Sequence, residues 1–230
     1  SSGLEHNTPW QMLQYQLGSE DDSIDPDTGV VTSMSAAEDK AKGTLLHIAA
    51  LDPHRFKTFD EWTLPCPTKT LTSQAAVRAR MDNPGKMVLT EGLAAFAYEA
   101  LSALSCHPIA MQWIQEGYLR EISGFFHLFG VRLRWRIDFC TVDGRILGDL
   151  KSTRRDLSST DFGKFTWNRE CWDMGYYAQA ALYCYLHMML TGIQPDEWRW
   201  VVVSKVPKCI HTRVFRMKYL VPGDAGYKDS

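Results

Sequence analysis

An interleaved α/β or α+β chain is what the sequence predicts, on three observations. Apolar residues recur at three- and four-residue steps in two stretches before Gly117 and again after Asp173. They alternate with polar residues in three consecutive runs between Leu119 and Lys151. Two further β-like runs follow the last helix. The 230 residues, 45% hydrophobic and 23% charged, suffice for one sizeable domain. Lys and Arg number 25 against 27 Asp and Glu, a formal charge of −2, which excludes a polybasic protein that holds nucleic acid by bulk charge. Any nucleic-acid site is therefore local. No apolar run approaches the ~20 residues of a membrane-spanning helix, so a soluble, cytoplasmic protein with no membrane partner is expected.

In chain order, residues 18–39 form a polar, acidic stretch read as a loop. The expected division is an N-terminal segment with this loop over 1–35 and one main domain over 36–230. From Ser35 the spacing of Ala37, Ala41, Leu45, Ile48 and Ala49 predicts a helix that stops before Pro53 and carries His47. Residues 60–88, with Pro65, Pro67, Pro84 and Gly85, read as connecting structure with one helical piece, Ala75 to Met81. Thr90-Glu91 opens an amphipathic helix through Leu93, Phe96, Ala100 and Leu104, ended by His107-Pro108, and a short helix runs from Pro108 to about Gln115. Strands are predicted over 119–127, 131–139 and 145–151, then a loop, a helix from Asp173 to Leu190 closed by Gly192, and strands over 198–206 and 214–220. The six cysteines are far apart, the nearest pair being Cys171 and Cys184, so neither a zinc ribbon nor an iron–sulfur site is expected.

The chemistry concentrates at Asp143-Gly144, a strong hairpin signal that favours a two-residue type I′ turn. With Val142 facing Arg145, Asp138 lies opposite Asp149 and Arg136 opposite Lys151. Facing residues of an antiparallel pair share one side of the sheet about 5 Å apart, so two carboxylates and an amine converge in otherwise apolar text. Like charges so placed repel, and desolvation worsens the repulsion. Either a divalent cation such as Mg²⁺ compensates, or the hairpin is solvated and Arg136 and Lys151 screen the pair.

Ile137-Asp138, followed after an interval by Asp149-Leu150-Lys151, resembles the core motif of the PD-(D/E)xK nuclease superfamily. Gln179 with Tyr183 resembles the QxxxY motif of its RecB-like members. The segment from Lys42 to His47 leading into Leu51-Asp52-Pro53-His54 is similar to the helix that supplies a metal-site histidine in RecE-type exonucleases (exonuclease VIII). Glu121-Ile122-Ser123 resembles that family's acidic strand. The pattern spans residues 35 to 190 in order. It implies a restriction-endonuclease-like core, with a mixed central sheet flanked by helices. Asp138, Asp149, Glu121, His47 and the Leu150 carbonyl would bind Mg²⁺, with Mn²⁺ as a substitute, and Lys151 would activate water or offset phosphate charge. Gln179 and Tyr183 would assist from one helix face. The resemblance further implies 5′ to 3′ degradation of double-stranded DNA ends in recombination, a homo-oligomeric ring, a tetramer by preference, and an annealing or recombinase partner.

Between residues 120 and 169 ten Lys or Arg stand against six acids, which suits a basic groove on an acidic body. Arg136, Ser152, Thr153, Arg154, Arg155, Lys164 and Trp167 are the candidate DNA contacts, several in the loop expected after the Lys151 strand. Other readings are an endonuclease of the same superfamily and a catalytically idle DNA-binding or assembly subunit with the same fold.

Overall fold

A computed structural model describes residues 34–52, 55, 58–128, 130–158, 160–206 and 210–218. The segment predicted over 1–35 lies almost wholly outside these residues. The first helix, α1 (Met34–Leu51), ends just before Pro53, as the proline requires. A single turn, α2 (Phe59–Trp62), leads into β1 (Thr63–Cys66), α3 (Gln74–Asp82) and β2 (Met87–Thr90). The parallel pair β1–β2 lies in the stretch read as connecting structure. Four-residue strands beside Pro65 and Pro67 have too few positions to show an alternation.

Thr90 caps α4 (Glu91–Ser105), its hydroxyl accepting from the Leu93 N–H, and Pro108 opens α5 (Pro108–Glu116). The strands β3 (Leu119–Leu128), β4 (Val131–Cys140) and β5 (Ile146–Thr153) follow, as expected from the alternation. The helix predicted from Asp173 to Leu190 is α7 (Tyr176–Thr191), and the stretch before it, predicted as a loop, holds a further helix, α6 (Thr160–Asp173), set off from α7 by Gly175 in the left-handed conformation. The last described elements are β6 (Glu197–Ser204) and β7 (Thr212–Lys218).

One mixed sheet, ordered β3-β4-β5-β6-β7, organises the molecule; only β5 and β6 run parallel, as the α6–α7 crossover between them demands. Helices cover both faces. Trp135, Ile137, Leu147, Trp198 and Trp200 pack beneath α6 and α7. Leu150, Val201 and Val203 pack beneath α1, α4 and α5. Alternate residues of β6 thus serve opposite cores, which is why its text is continuously apolar from Trp200 to Val203.

The β4–β5 turn departs from the predicted type. Among the described residues the only non-glycine with positive φ is Glu121, so Asp143 is not left-handed and a type I′ turn is excluded. Gly144, at φ 71°, donates to the Thr141 carbonyl, Thr141 donates to the Ile146 carbonyl, and Asp143 Oδ1 accepts from Thr141 Oγ1 and from the Arg145 N–H. The loop therefore gains one residue on each side. A symmetric gain preserves register: Phe139 pairs with Gly148 and Cys140 with Leu147, as the sequence predicts. Gly148 is required there, since a Cβ would lie 2.0 Å from the Phe139 ring.

Trp167 corrects the predicted substrate loop. It sits on α6, is 1% exposed, and stacks between Tyr176 and Phe215, so it belongs to the core and not to a DNA-contacting rim. Trp167→Ala is expected to destabilise the fold by about 3–5 kcal/mol in chemical denaturation.

Candidate functional site

The β4–β5 ladder stops after Phe139 and Gly148, and the strands fork. Into the fork goes the Asp138 carboxylate, whose Oδ2 accepts the Leu150 N–H at 2.7 Å. Asp138 and Asp149 therefore do not meet as a regular ladder pair, and Arg136 does not face Lys151: a side chain replaces the backbone pairing there. Both acids still line one cavity of about 630 Å³, together with His47, Glu121, Arg136, Lys151, Gln179 and Tyr183. N–H and C=O of one strand residue point the same way, so the Leu150 carbonyl is turned toward the fork with its N–H, while its side chain is buried.

Glu121 reaches the site by a different device. The β3–β4 register skips the Glu121/Asp138 position between the pairs Arg120–Phe139 and Ile122–Ile137. Glu121 there has φ 52°, a left-handed conformation that costs a non-glycine residue about 1 kcal/mol or more. Its carboxylate is ion-paired to Arg136. His47, on α1, places Nδ1 3.5 Å from Glu121 Oε1 and 3.6 Å from Asp138 Oδ2. One atom from each of His47, Glu121 and Asp138 lies within 4.8 Å of the other two. One nitrogen and two hard carboxylate oxygens at this separation fit a divalent cation. Asp149 lies outside this trio.

Asp149 Oδ2 is instead 2.8 Å from Lys151 Nζ, an ion pair whose alignment falls short of a well-formed hydrogen bond. Burial, and then the charge of Asp149, push the Asp138 carboxyl up to about 7, against the opposing pull of His47 and Lys151. Burial works against the Lys151 ammonium, but Asp149 and Asp138 overcome it and hold its pKa above the ordinary value. The ammonium also lies 4.7 Å from the centroid of the Tyr176 ring.

Tyr176 is a neighbour of Lys151 that is not among the candidate residues read from the sequence. It precedes Gln179 by three positions and Tyr183 by seven, so all three share one face of α7. That spacing was visible; what was not is that Lys151 occupies the ring face. Tyr183 also packs on Trp198 at 6.2 Å, so it borders the cavity and the core at once. Gly43, Thr44, Asp52 and Arg55 complete the lining from α1 and the segment after it.

The candidate DNA contacts separate. Arg136 lines the cavity, and Ser152 is half-buried at the end of β5. Thr153 is buried and donates to Glu170, so it is corrected from contact to support. Arg154 pairs with Asp39, and Arg155 lies 3.7 Å from Glu170 and 3.8 Å from Asp173. Lys164 lies on α6 and not in a loop; its side chain is outside the described residues. The charges of Arg154 and Arg155 are thus answered by acids from outside the 120–169 window. The five described cysteines are free thiols, and no described helix is long and apolar enough to cross a membrane.

Among solved structures, one from Eubacterium rectale described as a "putative exonuclease" is 14% identical with a TM-score of 0.44, covering 77% of this chain and 59% of that one. The chain thus spans less than two thirds of that protein. The structure of SSO0001 is 13% identical with a TM-score of 0.28, covering 77% and 78%. A search of curated proteins gives no significant match. A family model described as "PDDEXK-like domain of unknown function (DUF3799)" matches residues 19–214. The forked mixed sheet between helices is its restriction-endonuclease-like fold, and this chain belongs to the PDDEXK-like domain family of unknown function.

Proposed function

We propose that the chain is a divalent-metal-dependent nuclease acting on DNA, by preference an exonuclease on linear duplex ends. The observation that carries the reading is the convergence of His47, Glu121 and Asp138 from three separate elements, with the Asp149–Lys151 pair beside them. A structural role gives no reason to hold Glu121 in a strained conformation beside a second, buried carboxylate. When bound, Mg²⁺ or Mn²⁺ would lower the pKa of a coordinated water and draw charge from the scissile phosphate. His47, Glu121 and Asp138 would hold it, with Asp149 and the Leu150 carbonyl turned toward the same fork. Lys151 presents its ammonium to the phosphate oxygens, where negative charge grows in the transition state. Gln179 and Tyr183 offer polar groups to the same phosphate from α7.

The 5′ to 3′ polarity, a recombination role, a ring-shaped homo-oligomer and an annealing partner follow from the RecE-type resemblance. End-labelled linear duplex and nicked or closed circles, each with Mg²⁺, Mn²⁺ or EDTA, test the reading. Metal-dependent mononucleotide release from linear DNA alone is expected. Cleavage of closed circles would make it an endonuclease. DNA binding without any metal-dependent cleavage would make it an idle subunit.

A further inference from the structure

The exposed side of the β3–β4 hairpin carries a charge pattern that the site above does not use. Along β4, Arg132, Arg134 and Arg136 are all exposed, alternating with buried Leu133, Trp135 and Ile137. Their cross-strand partners on β3 are His127, Phe125 and Ser123, exposed as well. Two residues of strand span about 6.8 Å, so the three arginines repeat at roughly the separation of neighbouring phosphates on a nucleic-acid strand. The row runs in one direction to Asp138, two residues beyond Arg136, and Arg136 itself lines the metal cavity. From Arg132 to Asp138 the row is about 20 Å long.

Among the described residues nothing negative answers it along its outer part. Arg136 is held by Glu121, but among the described residues no carboxylate pairs with Arg132 or Arg134. Three other arginines of the same stretch are paired: Arg145 with Asp196, Arg154 with Asp39, Arg155 with Glu170 and Asp173. The Arg132 guanidinium lies 4.2 Å from the centroid of the Phe125 ring, and Phe125 is 52% exposed. A large apolar ring left in water on a flat strand face, clamped by a cation, is a platform on which a base can stack whatever its identity.

We propose that this hairpin face is the track for the nucleic-acid strand that leads into the metal cavity, with Arg134 and Arg132 on its second and third phosphates and Phe125 beneath a base. The alternation of β4 turns these arginines toward the same side as the Glu121/Asp138 position. A strand laid on them therefore enters the cavity without crossing the sheet. The contacts are to backbone and ring faces, so the track reads polymer chemistry and not sequence. It deepens the nuclease reading by naming where the strand lies, and it rests on that reading only for the polymer's identity.

Binding measured without cleavage keeps the two apart. Fluorescence anisotropy in EDTA, with a labelled single-stranded oligonucleotide and the matching blunt duplex, is compared for the wild type, Arg132→Ser/Arg134→Ser, Phe125→Ser, and a charge-matched control, Arg78→Ser/Arg80→Ser on α3. The double variant is expected to bind at least tenfold more weakly, and its dependence of log affinity on log salt to fall by about 1.4 for the single strand or 1.8 for the duplex. Phe125→Ser should weaken binding with little change in that slope, and the control should change neither by as much. The oligonucleotide with the larger loss identifies whether the track takes a separated strand or a duplex flank. All substituted positions are exposed, and thermal melting confirms that each variant is folded. An unaltered slope in the double variant, a control with equal losses, no measurable DNA affinity in the wild type, or tighter binding to an acidic peptide of equal charge each overturns the track. Loss of the slope in a protein that cleaves nothing would leave the track standing and remove the nuclease.

Discussion

Asp138→Asn is expected to lower metal-dependent cleavage by about 10³-fold while leaving the metal-free protein at least as stable as the wild type. The opposite signs have one cause. Asp138 is a buried acid, 4% exposed, facing a second acid, and its ionised form is disfavoured in the absence of a cation. An asparagine keeps the acceptor for the Leu150 N–H, so the fork closes as before. It removes the charge that the fold tolerates only for a ligand. The pH dependence follows from the same group. Its pKa is raised from 3.8 to about 7, so between those values the folded chain binds more protons than the unfolded one. Stability of the metal-free wild type therefore falls as pH rises from about 4 to about 7 and levels off above, and the variant loses that slope. Metal affinity runs the other way, rising up to about tenfold per pH unit until about 7, because binding displaces that proton. Urea titrations across pH, with and without Mg²⁺, measure both. A wild type whose metal-free stability rises through this window would contradict the assignment.

Lys151→Ala is expected to reduce cleavage about 10²- to 10³-fold with little effect on DNA affinity, and to destabilise the fold by about 3 kcal/mol near neutral pH. Here activity and stability move together. Lys151 lies 2.8 Å from Asp149 Oδ2, and Asp149 is 5% exposed. Deleting the ammonium leaves a buried carboxylate beside Asp138 with no cation, which is the costly way to break such a pair. Adding Mg²⁺ should recover much of the stability and none of the cleavage. Full activity in the variant would remove Lys151 from the chemistry. Unchanged stability would mean that the pair contributes nothing net to the fold.

Much of the scaffold was legible because it is periodic. The alternation through Arg132, Leu133, Arg134, Trp135 and Arg136 gives β4 its two faces, and Leu93, Phe96, Ala100 and Leu104 give α4 its stripe. The register of β4 on β5 was also legible, since it depends on the midpoint of the turn and not on its type. The short strands β1 and β2 were hidden by prolines and by their length. Helix α6 was hidden because its text from Thr160 to Asp173 mixes charged, polar and aromatic residues without a clear apolar stripe.

Linear order by itself determined the two aspartates, the amine two positions on, the histidine on the first helix and the polar pair four apart on the last. Local periodicity carries that information, and side chains on one element keep fixed relative directions. Three matters were decided only when distant segments met: the Asp138 carboxylate replacing a backbone partner in the fork, Glu121 turning left-handed to join His47, and Trp167 going into the core. Charge shows the reason most plainly. The charges of Arg145, Arg154 and Arg155, counted between residues 120 and 169, are answered by Asp39, Glu170, Asp173 and Asp196, which lie outside that window, while among the described residues no acid pairs with Arg132 or Arg134. Coulomb attraction depends on distance in space, which counting along the chain cannot supply.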